Sequence, residues 1–169
     1  RAYLLAQGYN ITERVLTGDD AGTIEHRDRY WLCAISSGLD AAEFDLDAIQ
    51  PEPRRYATLG DLMEPVSADD PAWKDFAYLD TKAERDAAAG KGFARQFVDA
   101  TSTKVGTIGR GYAKARSTEP FICRADGKQR LLTPVEHARA KGIPERLVAN
   151  TSATLAHEVL GQSILWPHA

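Results

Sequence analysis

One block near the C-terminus constrains the fold most, because it carries both the start and the end of a helix. Thr133 is a typical N-cap residue, Pro134 takes the first helical position, and Glu136 follows three residues after the cap. Gly142 and Pro144 are typical of a helix end. The block therefore predicts a short capped helix, which on these grounds alone could be an ordinary surface helix.

The order of residues in this block resembles a known family. Arg-x-Leu-Thr-x-x-Glu-x-x-Arg-x-x-Gly-x-Pro, from Arg130 to Pro144, is similar to the ninth motif of the cytosine-5 DNA methyltransferases. Residues 22–29 (Gly-Thr-Ile-Glu-His-Arg-Asp-Arg) stand where that family has Gly-Val-Pro-Gln-x-Arg-x-Arg, its eighth motif. Residues 161–164 (Gly-Gln-Ser-Ile) stand where it has Gly-Asn-Ser-Val. The three blocks occur in the family's order, with a long variable insert between the first two.

The resemblance implies an α/β fold with two parts. We expect a piece of a Rossmann-like methyltransferase catalytic domain, with a smaller α+β target-recognition domain inserted into it. Residues 1–37 would belong to the catalytic domain, residues 38–128 would form the recognition domain, and residues 129–169 would return to the catalytic domain.

Local patterns agree with this division. The runs at residues 9–16 and 30–36 predict two strands of one sheet, joined by a turn. After Ser37 the composition becomes acidic, which indicates a boundary. Asp126-Gly127 predicts a hairpin turn, and Thr151-Ser152 a second helix start. Leu155, Val159, Leu160, Ser163 and Ile164 are expected on one face of that last helix.

Two arginines in the turn carry the predicted base contact. Arg27 and Arg29 are spaced i, i+2, so they would point the same way from an extended segment as a cationic fork. The resemblance implies that Arg29 contacts the carbonyl of a cytosine flipped out of the duplex, with Arg27 supporting it and nearby phosphate. A surface ion pair with Asp28 or Glu25 is the alternative. Glu25 replaces the family's neutral amide, so it either orients one of these arginines or weakens DNA binding.

A glycine-rich loop at residues 101–114 is the predicted DNA-reading element. Its glycines would let the backbone approach a ligand, and its hydroxyl and cationic groups suit phosphate and base edges. A flexible loop without function is the alternative. The predicted DNA-contacting residues are Thr103, Lys104, Gly106, Thr107, Gly109, Arg110 and Lys114.

The block at the end of the last helix implies a cofactor contact. In the family it borders the S-adenosylmethionine pocket, so Gln162 and Ser163 are the expected cofactor-binding residues. Read without the resemblance, Gly161 in a helix indicates close packing.

Motifs that are missing from the sequence limit what the segment can do. The chain contains no Pro-Cys pair, no Glu-Asn-Val and no Phe-x-Gly-x-Gly, which the family uses for the nucleophile, ring protonation and the cofactor. It begins at Arg1, and its only methionine is Met63. We therefore expect an inactive C-terminal segment of a DNA (cytosine-5-)-methyltransferase, which needs the N-terminal catalytic part of the same protein. In that parent, a cysteine thiolate would add to the cytosine ring and activate it toward the methyl group of S-adenosylmethionine.

Composition excludes several other classes. The net charge is −3, so any DNA contact must come from a local basic patch. No apolar run is long enough to span a membrane, and the four histidines show no metal-ligand spacing. Cys33 and Cys123 are too few for a disulfide framework and are expected to be inert thiols, Cys33 buried in a strand.

The expected partner is double-stranded DNA, in the cytoplasm of a bacterial or phage-infected cell. Two other interpretations stay open: a non-catalytic DNA-binding or regulatory protein that retains only this half, and an unrelated α/β protein.

Overall fold

The computed structural model describes residues 1–39, 45–92 and 94–168, and both helices and strands occur along these ranges in an α/β arrangement. The α-helices are Ala2–Ala6 (α1), Ala77–Ala88 (α2), Pro134–Ala140 (α3) and Ala153–Gln162 (α4). The β-strands are Tyr9–Leu16 (β1), Arg29–Ser36 (β2), Gln96–Val98 (β3), Pro120–Cys123 (β4) and Gln129–Arg130 (β5).

The first two strands form the predicted two-stranded sheet. They are antiparallel and in register from Tyr9 opposite Ser36 to Leu16 opposite Arg29. The segment that connects them reverses direction at Gly22, whose φ of 59° lies in the left-handed region that glycine adopts more readily than other residues. The two predicted strands are confirmed, and the second begins one residue earlier than expected.

The other three strands form a second sheet in the order β3-β4-β5. Strands β3 and β4 are parallel, while β4 and β5 are antiparallel around the predicted Asp126-Gly127 turn, where Gly127 has a φ of 85°. This hairpin is confirmed. Its strand pairing crosses from the predicted recognition segment into the predicted return segment.

Helix α3 has the predicted capping box. The Thr133 hydroxyl accepts from the amide of Glu136, and the Glu136 carboxylate accepts from the amide of Thr133. The helix ends at Ala140, with Lys141 as its C-cap, and the following Gly142 has a φ of 69°. The predicted capped helix is therefore confirmed at both ends.

Helix α4 begins after its N-cap Ser152, as predicted, but the buried face differs from the expectation. Leu155 and Val159 are about half exposed, whereas Ala156 and Leu160 are buried. Apolar character alone did not identify the packed face, because the rest of the protein packs against the side of α4 that carries Ala156, Leu160 and Gly161.

One hydrophobic core joins the three predicted segments. It contains Ile24, Leu59, Leu62, Val98, Val105, Ile108, Tyr112, Ile122, Leu132 and Ala140. Within the described residues, therefore, the middle segment is not a separate lobe. The boundaries at 37/38 and 128/129 stay predictions, and the start of the middle segment includes residues 40–44, which lie outside the described ranges.

Candidate functional site

The turn before β2 lies directly against the glycine-rich loop. The amide of Val105 donates to the carbonyl of Ile24 at 2.9 Å, and the amide of His26 donates back to the Val105 carbonyl at 2.7 Å. The Thr107 hydroxyl also donates to the His26 carbonyl at 2.6 Å. These bonds bring together the predicted base-contacting turn and the predicted DNA-reading loop.

Glu25 is fully buried at the centre of this junction. Its two carboxylate oxygens lie 2.9 and 2.8 Å from Nζ of Lys141, which is also fully buried. The same carboxylate accepts from the amide of Ile108 at 3.1 Å and lies 3.5 Å from a guanidinium nitrogen of Arg27. The expectation that Glu25 pairs with an arginine of the turn is confirmed for Arg27.

Lys141 is a site residue that the sequence reasoning missed. A lysine in the last turn of a helix is ordinarily explained by the helix dipole. Here burial lowers the pKa of Lys141, and the adjacent Glu25 carboxylate opposes that shift. The available signal was Glu25 itself, since a charge replacing an amide needs a partner.

Arg27 points into the protein. Its side chain is 5% exposed, and it donates to the carbonyls of Ile108 at 3.4 Å and Gly161 at 3.1 Å. Burial lowers the pKa of Arg27, and the neighbouring Glu25 opposes this. The expected phosphate contact of Arg27 is not supported, because the side chain is buried and its two terminal guanidinium nitrogens bond to groups inside the protein.

Arg29 lies at the start of β2 and is partly exposed. Its guanidinium donates to the carbonyl of Asp28 at 2.7 Å. In the described part of the chain it forms no salt bridge with a carboxylate, so the alternative of a surface ion pair is not observed for Arg29. Its remaining donors are available to a ligand.

The polar side chains of the glycine-rich loop face solvent. Lys104 pairs with Asp19 at 2.6 Å, and Arg110 pairs with Glu158 on α4 at 2.6 Å. Thr103 and Lys114 are also exposed. Ion pairs this exposed contribute little to stability, so the cations can exchange their carboxylates for phosphate.

A shallow cleft of about 310 Å³ lies between this loop and α4. It is lined by Arg110, Lys114 and Arg116 together with Glu158. Arg116 was not singled out from the sequence, because it lies beyond the glycine-rich run. Three cations around one cleft suit a phosphate group.

The glycines of the loop serve internal packing. A side chain at Gly106 would overlap the amide group of Gln96, and one at Gly109 would meet the carboxylate of Glu119. The expected close approach of a ligand to Gly106 and Gly109 is therefore not supported, because these positions face the protein.

The end of α4 confirms the close-packing interpretation of Gly161. An added Cβ there would lie 2.4 Å from backbone atoms of Gly109 and Arg110. Gln162 is exposed and donates to the carbonyl of Glu158, while the Ser163 hydroxyl donates to that of Leu160. The expected cofactor contact of Gln162 and Ser163 stays a prediction, since both side chains donate to backbone carbonyls of α4.

Two histidines form a buried contact that the sequence did not predict. Nδ1 of His137 on α3 lies 3.0 Å from Nδ1 of His157 on α4. The ring of Tyr112, from the glycine-rich loop, meets both imidazoles edge-on, at 5.6 and 5.1 Å between centroids. Burial lowers the pKa of His157 to about 4 and that of His137 to about 2. The three rings join the loop to both helices.

The cysteines lie outside this site. Cys33 is partly exposed, which corrects the expectation of a buried thiol, and burial raises the pKa of Cys123. Within residues 1–39, 45–92 and 94–168, no three His, Cys, Asp or Glu side chains come together as metal ligands. None of the helices described is both long and apolar enough to cross a membrane.

The family described as C-5 cytosine-specific DNA methylase matches residues 2–169. The chain is 31% identical over 172 residues to the Type II methyltransferase M.NlaX of Neisseria lactamica, covering 98% of this chain and 52% of that protein. It is 26% identical to M1.ScrFI of Lactococcus lactis, covering 94% of this chain and 41% of that protein. The chain thus spans about half the length of the curated relatives it matches.

Solved structures show the same fold at low identity. The Dnmt2 methyltransferase of S. pombe superposes with a TM-score of 0.70 at 20% identity, covering 98% of this chain and 55% of that one. EhMeth of Entamoeba histolytica gives a TM-score of 0.66 at 15% identity, covering 97% of this chain and 52% of that one.

Proposed function

The chain belongs to the C-5 cytosine-specific DNA methylase family, and from this premise we propose that it is the DNA-recognition segment of a cytosine-5 DNA methyltransferase. The parent would be a bacterial or phage enzyme of a type II restriction-modification system, working on DNA in the cytoplasm. The observation that carries the proposal is the junction of the Arg29 turn with the glycine-rich loop, where the partly exposed Arg29 and the exposed Lys104 and Arg110 belong to segments that are hydrogen-bonded to each other.

Each part of the junction has a proposed task. Arg29 contacts the flipped cytosine, and Arg27 supports it by fixing the loop and α4 behind it. The exposed loop residues Thr103, Lys104 and Thr107 contact the duplex, which must be held while its target base is extruded. Arg110 and Lys114 contact phosphate together with Arg116.

S-adenosylmethionine supplies the methyl group when it is bound to the parent enzyme. Gln162 and Ser163 would hold its polar groups from the end of α4. These two residues form one edge of a site, and the rest of the pocket and the cysteine nucleophile would come from the N-terminal part of the protein.

An exposed apolar surface favours such a partner over the alternative of a regulatory protein that keeps only this half. Val15 and Tyr30 lie opposite each other on the β1–β2 sheet and are 52% and 61% exposed, with Leu32 on the same face. A two-stranded sheet is rarely stable alone, and an exposed apolar face of this kind suits packing against another part of a protein.

DNA binding by the 169-residue chain tests the proposal. We expect salt-dependent binding to duplex DNA, which fluorescence anisotropy would measure, with the slope of log K against log salt smaller by about one unit in Lys114→Ala. Lys82→Ala serves as the control, because Lys82 is an exposed lysine on α2 that pairs with Asp86. Salt-independent binding, or none, would contradict the proposal.

Methyl transfer is a separate test. We expect the chain alone to transfer no label from S-adenosylmethionine to cytosine-containing DNA, because the Pro-Cys and Glu-Asn-Val motifs are absent from its sequence. Incorporation above background would show that the segment is catalytic by itself.

A further inference from the structure

The most deeply buried charges of the junction belong to Glu25 and Lys141, both 0% exposed. We propose that Glu25, with Lys141 as its counter-charge, is a positioning residue that locks the glycine-rich loop to the turn carrying Arg29 by accepting the hydrogen bond of the Ile108 amide. The DNA-reading loop and the base-contacting arginine then move as one rigid unit. The inference rests on the proposed function for its purpose, and on the contacts of the pair for its geometry.

The pair explains how a charge can occupy this position. A carboxylate buried without a partner is strongly unfavourable, and a neutral amide would avoid that cost. Glu25 nevertheless stands where the family's eighth motif has an amide. Lys141, at the C-terminal end of α3, supplies the opposite charge, with its Nζ 2.8 Å from the Glu25 carboxylate. Each charge therefore depends on the other, which makes Lys141 a compensating residue for Glu25.

The carboxylate holds the loop at its centre. Glu25 accepts from the amide of Ile108, while Arg27 donates to the carbonyl of the same residue. Ile108 thus has both backbone groups fixed by side chains of the turn, and its own side chain is fully buried. Lys141 fixes the carboxylate and through it the loop.

The neighbours of Ile108 give this anchoring a consequence for DNA. Thr107 and Arg110 lie on either side of it and are exposed. Thr107 is bonded to the carbonyl of His26, three residues before Arg29. If the bond between the Ile108 amide and Glu25 were lost, the spacing between Arg110 and Arg29 would no longer be fixed, although neither arginine had been changed.

Two double variants of equal net charge separate anchoring from general stability. Glu25→Gln with Lys141→Met keeps an acceptor oxygen for Ile108, whereas Glu25→Leu with Lys141→Met removes it. Both variants remove the Glu25 carboxylate from Lys141 and from Arg27, so they differ from each other only in the acceptor for Ile108. We expect the first variant to retain the protection of the Ile108 amide and the DNA affinity of the unsubstituted chain. In the second we expect the amide to exchange about ten-fold faster and DNA affinity to fall about ten-fold.

Hydrogen exchange at the Ile108 amide, followed by NMR, needs no DNA. It therefore tests whether Glu25 anchors the loop even if the proposed function fails. Weak DNA binding by the unsubstituted chain would instead count against the proposed function. Unchanged Ile108 exchange and DNA affinity in the leucine variant would overturn the inference.

Single substitutions keep the test decisive if the leucine variant does not fold. Glu25→Gln alone leaves Lys141 buried without a counter-charge, and we expect its Tm to fall by about 10 °C. Adding Lys141→Met should recover most of that loss. Additive effects of the two substitutions would show that the residues are not coupled, and would overturn the inference.

Discussion

At the scale of single residues, the site is organised by close backbone contacts that leave the functional side chains free. Gly161 allows α4 to approach the loop at Gly109, and Arg27 uses the resulting proximity to bond the Gly161 carbonyl. Arg29 and Arg110 then remain at the surface. The loop is fixed by Arg27 and by the close packing of Gly161, so its exposed cations are not needed to hold its conformation.

Gly161→Ala should loosen this contact. Its Cβ would meet backbone atoms at 2.4 Å, and backbone cannot move aside as a flexible side chain can. We expect a loss of roughly 1–3 kcal/mol in the free energy of unfolding, measured by urea denaturation. Gly92→Ala is the matched control, because no atom lies within 4 Å of that position. Equal stability of the two variants would contradict the packing role.

Arg29 and Arg110 should fail in different ways in the assembled parent enzyme. Arg29→Ala would remove the proposed charge-assisted hydrogen bond to the flipped base, worth roughly 1.5–3 kcal/mol, so the methylation rate should fall about ten- to a hundred-fold at every target site. Arg110→Ala should weaken DNA binding, evenly across sequences if it contacts phosphate, or with relaxed preference at one position if it contacts a guanine edge. Methylation rates and binding to matched and mismatched duplexes separate these outcomes. An unchanged rate in Arg29→Ala would remove its assignment.

At the scale of elements, helix α3 is fixed by a second buried ion pair. Arg130 on β5 forms two bonds with the Glu136 carboxylate, at 2.6 and 2.7 Å, and both side chains are almost fully buried. The same carboxylate accepts from the amides of Thr133 and Glu64. One glutamate therefore joins the helix start, β5 and the segment before α2.

Glu136→Ala should destabilise the protein strongly. It leaves Arg130 buried without a counter-charge and the amides of Thr133 and Glu64 without an acceptor, which costs about 3–5 kcal/mol. Thr133→Ala provides the comparison, since loss of an N-cap side chain alone costs about 1 kcal/mol. Chemical denaturation of both variants checks the order, and an equal loss in the two would show that the ion pair adds nothing to the cap.

At the scale of the whole molecule, the histidine pair couples the loop to α3 and α4. Only one of two Nδ1 atoms in a contact of 3.0 Å can carry a proton without facing another N–H, so the geometry excludes two charged rings, and burial favours neutral ones. The folded chain therefore resists protonation at the place where three parts of the molecule meet.

Stability should fall as the pH drops from about 6.5 to about 4. An unfolded histidine has a pKa near 6.5, whereas burial lowers that of His157 to about 4. In this window the unfolded chain binds protons that the folded chain does not, so acid favours unfolding. His157 alone should contribute a loss of roughly 3 kcal/mol by pH 4.

Urea denaturation at several pH values measures this slope. His157→Gln should flatten it, whereas the control His26→Asn should not, since the His26 side chain is 60% exposed. A slope unchanged in His157→Gln would show that the pair does not control acid stability.

Local chemistry made the secondary structure predictable. The capping box at Thr133, the hairpin at Gly127 and the strands around the Arg29 turn depend on residues close in sequence, so their patterns could be interpreted without the fold. The three motif blocks, in turn, predicted the family, because each is a short run with a fixed order.

Only the tertiary structure decided how those runs are used. Lys141 lies 116 positions from Glu25, and Arg27 lies 134 positions from Gly161, so no local pattern could pair them. The same holds for His137 and His157, whose rings meet because α3 and α4 pack together. The sequence by itself determined which residues could carry charge, cap a helix or turn the chain. Burial decided which of those charges became internal supports and which stayed exposed at the surface, because a charge excluded from water must find a partner wherever the fold places one.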